Sequence, residues 1–502
     1  MRFDHDVIVV GAGNGGLTAA SRASGAGLKT VLLEKHNLPG GFAASFVRGR
    51  FEFEASLHEL CDAGTEDEPR IIRRLFSELG ADIKLYNEKY LFRTIVTGED
   101  GYDVTLEAGV DGFKKSLLAV CPGEEKSIDK LYALLDETLN ALEYNKKKNG
   151  KPNKLVAVTK YGNFLKSASH SIEDVLTYLG FSEKARRIIE TYWLYIGVPV
   201  EEANSLHYLE MLRGYINGGA GIPYHKSYEL SLALADTVYK NGGEIRYNTE
   251  VKEFIYDNGR VTGVRTDNDE YYAKEVISNV IPHNVLNMSG KNTREKDRKL
   301  CGARKLGMSF VCIFLGLDCD RKTIGFDDYT VFIAKNASSK RQYEDDMGIY
   351  VVNCLNSAVP DATPAGTCSV VITVPVFRPD IFDNVTAENY KKFKSDFAKK
   401  YIEDFEAVTG IGVLSHVEEI SVSTPATNAR YFGSPEGTAY GYEMSGWDNL
   451  MSRTLNKENE LDIPGLSFCG GHGPSGPGFG VTYLSGVDAA DAVIKRIKEG
   501  AQ

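Results

Sequence analysis

An aliphatic run that ends abruptly in glycines constrains this chain more than any other feature: Val7-Ile8-Val9-Val10, then Gly11-Ala12-Gly13-Asn14-Gly15-Gly16. A short β-branched run bounded by charge is expected of a buried parallel strand. Gly11 permits a tight turn, Gly13 lets backbone approach a pyrophosphate, and Gly16 lets the next helix pack close to the strand. The alanine-rich stretch Leu17 to Ala26 is that helix, whose first turn, with Asn14 and Gly15, aims free N–H groups at phosphate. A second strand, Thr30 to Leu33, ends in Glu34 followed by Lys35, where an acid accepts the hydroxyls of an adenosine ribose. The strand, turn, helix and acid together predict a dinucleotide site.

Which dinucleotide is bound depends on the rest of the chain. Pro39-Gly40-Gly41 follows the second strand directly, and this glycine pair leaves room for a long, extended cofactor. Near the C-terminus, Leu466 to Cys469 reads as a last short strand, and Gly470 and Gly471 leave it without side chains that would block a phosphate or ribityl chain. Gly480 and Val481 then open a final helix, Thr482 to Ile497, whose N-terminal dipole suits the electron-rich pyrimidine edge of a reduced flavin. The two ends of the chain thus describe one FAD site. A second nicotinamide-binding unit is not legible: Gly218-Gly219-Ala220-Gly221 lacks a good preceding strand, and Pro474 and Pro477 interrupt the late glycine cluster.

The same residues carry a family resemblance. The string Leu33 to Gly41, then Ser45 to Glu54, resembles the flavin-binding start of the phytoene desaturase, carotenoid isomerase and retinol saturase family. Gly242 to Val251, Gly259 to Val264 and Val276 to Asn279 are similar to its middle segment, and Thr424-Pro425, Arg430-Tyr431 and Gly433 to Gly441 to its late motif. The resemblance implies an α/β fold: a Rossmann-like FAD domain of the amine-oxidase type, interrupted by a substrate domain of mixed β-sheet and helices. It places backbone at Val251 against the adenine. It also implies non-covalent FAD and an extended unsaturated lipid substrate whose C=C bonds are saturated, desaturated or isomerised. The chain departs from the family at Phe53-Glu54-Ala55-Ser56, where Phe-Asp-x-Gly is usual, and at Pro223-Tyr224-His225-Lys226-Ser227, where Pro-x-Gly-Gly is usual.

Pattern along the chain fits this organisation. Segments 1–83, 218–290 and 456–502 form the expected FAD domain, and 84–217 and 291–455 the substrate domain, with a helical lid at about 127–212. A hairpin is predicted around Gly98-Glu99-Asp100-Gly101. Strand-like runs recur at Met308 to Leu317, Tyr329 to Ile333, Ile349 to Leu355 and Ser369 to Val376, reading as a mixed or antiparallel sheet with one face toward a ligand. Lys146-Lys147-Lys148-Asn149-Gly150-Lys151-Pro152 reads as a solvated loop. Tyr161, Phe164, Tyr192, Trp193 and Tyr195 cluster after it, which leaves open a lid in contact with lipid at a membrane periphery.

Isolated alkenes resist hydride addition, so a proton donor or a delocalised cation is required. The candidates are His58, Glu59 and Glu54, followed by His225, Tyr440 and Tyr442; Arg430 is a candidate carboxylate ligand, and His472 shapes the flavin turn. Each has a structural alternative. Net charge of -11 argues against nucleic acid and against electrostatic attraction to anionic lipid. The eight cysteines show no CxxC pairing and no clustering with histidine, so no metal is expected and a reduced, cytoplasmic setting is. A separate electron donor or acceptor is implied, and the oligomeric state is not encoded legibly. Two other classes stay open: amine oxidation on the same flavin fold, and a non-catalytic flavoprotein that binds lipid.

Overall fold

The computed structural model describes residues 3–98, 101–148, 151–345, 348–455, 461–473 and 476–500. The hairpin tip Glu99-Asp100, Asn149-Gly150, the expected boundary at 456 and Pro474 lie outside them.

The first sheet is built on four parallel strands, of which Thr30–Leu33 is buried throughout and His5–Val10 over its last four residues. His5–Val10 sits at its centre, between Thr30–Leu33 and Glu270–Ser278, and Glu244–Arg246 extends it beyond Thr30–Leu33, all in parallel. Val7, Ile8 and Val9 are fully buried, each contributing about 1.5–3 kcal/mol by leaving water. Along its edge away from His5–Val10, Glu270–Ser278 has two partners: its start pairs antiparallel with Arg260–Arg265 of the Asn258-Gly259 hairpin, and its end pairs parallel with Leu466–Phe468. The last strand of the chain is thereby brought beside the first.

Helix Asn14–Gly25 lies on this sheet between Phe479–Gly500 and Lys226–Lys240. Gly16 makes that seat possible, since a Cβ there would fall 1.8 Å from the carbonyl oxygen of Gly11.

The second sheet has seven strands in the order 417–423, 309–317, 368–376, 349–354, 330–334, 90–96 and 102–107. Only Thr330–Ala334 and Tyr90–Val96 run parallel, so the sheet is mixed. Ser309–Leu317 and Ile349–Cys354 are buried on both faces, one covered by helix Tyr390–Thr409. Helices from Val110 to Gly218 pack over the Tyr90–Val96 end as a separate apolar layer. Helix Ser205–Gly218, not a strand, precedes the Gly218–Gly221 turn, and Ala220–Pro223 pairs with Leu60–Cys61 and Leu85–Asn87 in a small third sheet.

The aromatic group expected to face lipid is split. Tyr192 and Trp193 are core residues, 0% and 2% exposed. Tyr192 stacks on Tyr215, and the Trp193 indole donates to Gln342 Oε1 at 2.8 Å. Their polar tips find buried partners, which removes any reason to reach for a bilayer headgroup.

Candidate active site

One cavity of about 900 Å³ runs from the glycine turn of the first sheet to the second sheet and the helical layer. The C-terminal ends of His5–Val10 and Thr30–Leu33 open onto it, as expected at the edge of a parallel sheet. Gly11, Gly13, Asn14, Gly15, Glu34, Lys35, Gly40, Gly41, Val251, Gly470, Gly471, Gly480 and Val481 line this space. Gly16 does not, because it faces Gly11 instead.

The nucleotide end is shaped closely. Glu34 Oε2 accepts from the Ala12 N–H at 2.7 Å and Oε1 from the His36 N–H at 2.8 Å, so the acid also ties the glycine turn to the second strand. Asn279, at the end of the central strand pair, was singled out by no functional reasoning from the sequence. A Cβ on Gly13 would fall 2.5 Å from Asn279 Nδ2, and one on Gly470 2.7 Å from its Oδ1. Asn279 is therefore wedged between the two glycine turns.

These residues fit an FAD. Buried Asn14 Oδ1 and His472 Nε2 have no hydrogen-bond partner and belong to residues lining the groove, which marks a place built for polar ligand atoms. Glu34 would hold the ribose, the first turns of the helices starting at Asn14 and Phe479 would face pyrophosphate and pyrimidine edge, and Gly41 and Gly471 would leave room between them.

Beyond the flavin groove the wall becomes apolar, with Leu194, Met308, Phe310, Val351, Pro375 and Tyr440. Two expected acid–base residues are also in this wall. His58 Nδ1 lies 2.6 Å from Asn353 Oδ1, and Asn353 Nδ2 donates to Thr330 Oγ1, which assigns the proton on His58 to Nδ1. Burial lowers the His58 pKa to about 4, against the Asn353 hydrogen bond that raises it. The imidazole is neutral at pH 7, and its one N–H is committed to Asn353. His58 is thus a poor proton donor, contrary to the sequence expectation.

Glu59 has the opposite character. It is 7% exposed, its Oε1 has no partner, and Thr330 reaches its Oε2 at 3.4 Å. Burial raises its pKa to about 8, the charge of Glu88 adds to this, and the Tyr195 and Thr330 hydroxyls oppose it. A carboxyl that keeps its proton at pH 7 in a cleft is suited to general-acid work.

The other candidates are placed elsewhere. Glu54 is off the cavity, and its oxygens accept from Ser227 N and Oγ at 2.6 and 2.7 Å and from Ser56 N and Leu57 N at 3.1 and 3.0 Å. It fastens the loop carrying His58 rather than serving substrate. His225 and Arg430 are exposed and do not line the cavity. Tyr442 is fully buried behind the wall, bonded to His283 at 2.8 Å. Tyr440 does line the cavity, and burial keeps its hydroxyl protonated.

The structure adds a polar group the sequence did not suggest. Asp62 and Arg213 pair at 3.6 Å in the cavity wall, near His207 and Glu210. Away from the cavity, ligand atoms of Asp318, Cys319 and His416 come within 4.8 Å of one another, a grouping invisible in sequence spacing. No cysteine among the described residues is in a disulfide, and no helix there is long and apolar enough to cross a membrane.

Fold and site define a class: a Rossmann-type flavoprotein oxidoreductase. A profile for an NAD(P)-binding Rossmann-like domain matches residues 9–79. The chain is 24% identical to the all-trans-retinol 13,14-reductase of Danio rerio, over 87% of this chain and 77% of that one. It is 24% identical to the chloroplastic prolycopene isomerase of Daucus carota, over 98% and 80%. It is 25% identical to the neurosporene-forming phytoene desaturase of Rhodobacter capsulatus, over 95% and 91%. Among solved structures, an oxidoreductase from Methanosarcina mazei matches with a TM-score of 0.65 at 17% identity, covering 98% of this chain and all of that one. Putrescine oxidase bound to putrescine matches at 0.63 and 16%, covering 98% and 99%. The resemblance to the phytoene desaturase, carotenoid isomerase and retinol saturase family therefore extends over nearly the whole chain, and the amine-oxidase likeness is one of fold.

Proposed function

We propose that this protein is an FAD-dependent enzyme that saturates or isomerises C=C bonds of an extended unsaturated lipid, with Glu59 as the proton donor. The carrying observation is the continuous cavity in which the nucleotide groove opens into an apolar chamber that Glu59 lines, a buried carboxyl whose Oε1 has no partner. A bound, non-covalent flavin supplies hydride exchange at N5.

The chain supplies the rest. Glu34 and the glycine turns hold the nucleotide end, and the helix from Phe479 presents its N-terminus to the flavin. Leu194, Met308, Phe310, Val351, Pro375 and Tyr440 exclude water and align an apolar chain. Glu59 Oε1 holds a proton toward that chain, and Thr330, donating to Oε2, orients the carboxyl. His58, fixed by Asn353, sets the shape of the wall beside it.

Eight unpaired cysteines support a reducing, cytoplasmic setting at the periphery of a lipid phase, with a separate electron donor or acceptor. The test is to purify the protein with FAD and offer polyenes, retinoids, unsaturated fatty acids and amines in parallel. The reading expects polyene or fatty-acid products and no peroxide from amines. Peroxide release with amines alone would replace it with C–N oxidation, and bound FAD without turnover of any of them would leave a lipid-binding flavoprotein.

A further inference from the structure

The far end of the second sheet gathers sulfur, nitrogen and oxygen ligands that the flavin site does not use. Strand Ser309–Leu317 starts at the cavity, which Phe310 lines, and its other end lies roughly 23 Å away at about 3.3 Å per residue. Just beyond that end come Asp318 and Cys319, and His416 immediately precedes the neighbouring strand Val417–Ser423. The ligand atoms of these three residues lie within 4.8 Å of one another. Asp318 Oδ1 is 2.9 Å from His416 Nδ1, and the Asp318 N–H donates to the His416 carbonyl at 2.9 Å.

The backbone around them is shaped to bring the three together. The ladder between 309–317 and 417–423 shifts register between Gly316 and Leu317, an irregularity of the kind that re-aims side chains. Glu406 of helix Tyr390–Thr409 accepts from Val413 N and Leu414 N at 2.6 and 2.7 Å, which pins the loop that delivers His416. Behind Cys319, Cys368 opens strand Cys368–Val376 opposite Leu317. The Cys368 thiol interacts with those of Cys319 and Cys354, so a second sulfur stands beside the first. All three cysteines are buried, while Asp318 is exposed and His416 partly so, which leaves a path for an ion to enter.

An Asp–His pair at a surface needs no ion to explain it, but two thiols converging on the pair add the soft ligands that zinc takes. Magnesium and calcium, which take oxygen ligands, are poorly served by such a set. Zinc bonds of about 2.0–2.3 Å place neighbouring ligand atoms under about 4 Å apart. Rotation of the Asp318 and His416 side chains suffices to close the cluster to that size. We propose that Asp318, Cys319, Cys368 and His416 bind one Zn²⁺ that clips strands 417–423 and 368–376 to the end of strand 309–317. Binding sends the two thiol protons to solvent and changes no oxidation state. Cys354 stays behind Cys368 as an outer partner. The clip is structural: it sits at the end of the sheet remote from the chamber and takes no part in the reaction proposed above.

The test takes FAD-loaded protein, strips it with a chelator and titrates it with ZnCl₂ or CoCl₂. The wild type is expected to take up one equivalent of either ion, and its melting temperature to rise with Zn²⁺. With Co²⁺ it should develop thiolate-to-metal charge-transfer absorption, together with ligand-field bands to the red of the oxidised flavin. Cys319→Ser should lose much of the charge-transfer intensity and weaken Zn²⁺ binding by more than the roughly 10- to 100-fold typical of an outer partner. His416→Gln changes a partly exposed side chain, so it should fold as the wild type does, keep the sulfur-to-cobalt band and bind Zn²⁺ more weakly. Cys121→Ser, in the helical layer, should bind as the wild type does. No uptake of either ion by the wild type overturns the proposal, as does uptake without sulfur-to-cobalt absorption. Zn²⁺ binding by His416→Gln equal to wild type, or loss of the band in Cys121→Ser, overturns it as well.

Discussion

Glu59→Gln replaces the cavity carboxyl by a neutral group of the same shape, and its effect on stability can be worked out. In the unfolded chain the carboxyl titrates near 4.5, and in the folded protein burial holds it near 8. Between those values the unfolded state sheds the proton and the folded state keeps it, so wild-type stability falls as pH rises, then levels above about 8. At roughly 1.4 kcal/mol per unit of pH, the window is worth about 5 kcal/mol. Glutamine has no such cost. The stability of Glu59→Gln relative to wild type should therefore climb by several kcal/mol between pH 5 and pH 8.5, read from urea midpoints at each pH. The acid role carries a second consequence. Wild-type turnover falls about tenfold per pH unit above 8, while the variant retains FAD and loses turnover by about 10²–10⁴-fold. Parallel stability curves for the two proteins would refute the buried, protonated carboxyl.

Three further outcomes follow from the site. Glu34→Ala should weaken FAD binding about 10- to 100-fold, measured by titrating apoprotein, because ribose contacts and the ties to Ala12 and His36 are lost together. His58→Ala should keep FAD and cost less turnover than Glu59→Gln, since the imidazole is neutral and its N–H bonds Asn353; a larger loss on steady-state assay would return the proton to His58. His472, whose pKa burial and the charges of Arg304 and Arg453 lower to about 3, is neutral when folded and charges on unfolding below about 6.5. Stability from this group is lost as pH falls through that window, so His472→Asn should lose less melting temperature than wild type between pH 6.5 and 4.

The parallel sheet was legible because each of its elements carries a local signal: aliphatic runs, a glycine turn, an acid at a strand end. Thr30–Leu33 appears where the pattern puts it, and the final helix begins three residues earlier than expected, at Phe479, because the first turn after Gly478 needs no apolar periodicity. The cavity wall was less legible, since it is assembled from segments remote in sequence. His58 and Glu59 were visible as adjacent titratable residues, but their protonation depends on Asn353, Thr330 and Tyr195, each on a different element. Asn353 did offer a signal, a polar residue inside the buried strand Ile349–Cys354. Tyr192 and Trp193 depart from the expected lipid face because aromatic clustering looks the same in sequence for a core as for a lipid face.

The most direct test of the central claim is to photoreduce the FAD-loaded enzyme without oxygen, mix it with a panel of polyenes, retinoids and unsaturated fatty acids, and follow flavin reoxidation together with product mass. The account predicts a product heavier by two hydrogens with reoxidised flavin, or an isomer of unchanged mass with the flavin still reduced. No change in any panel member, while amines reduce the oxidised flavin of the same preparation, would contradict it.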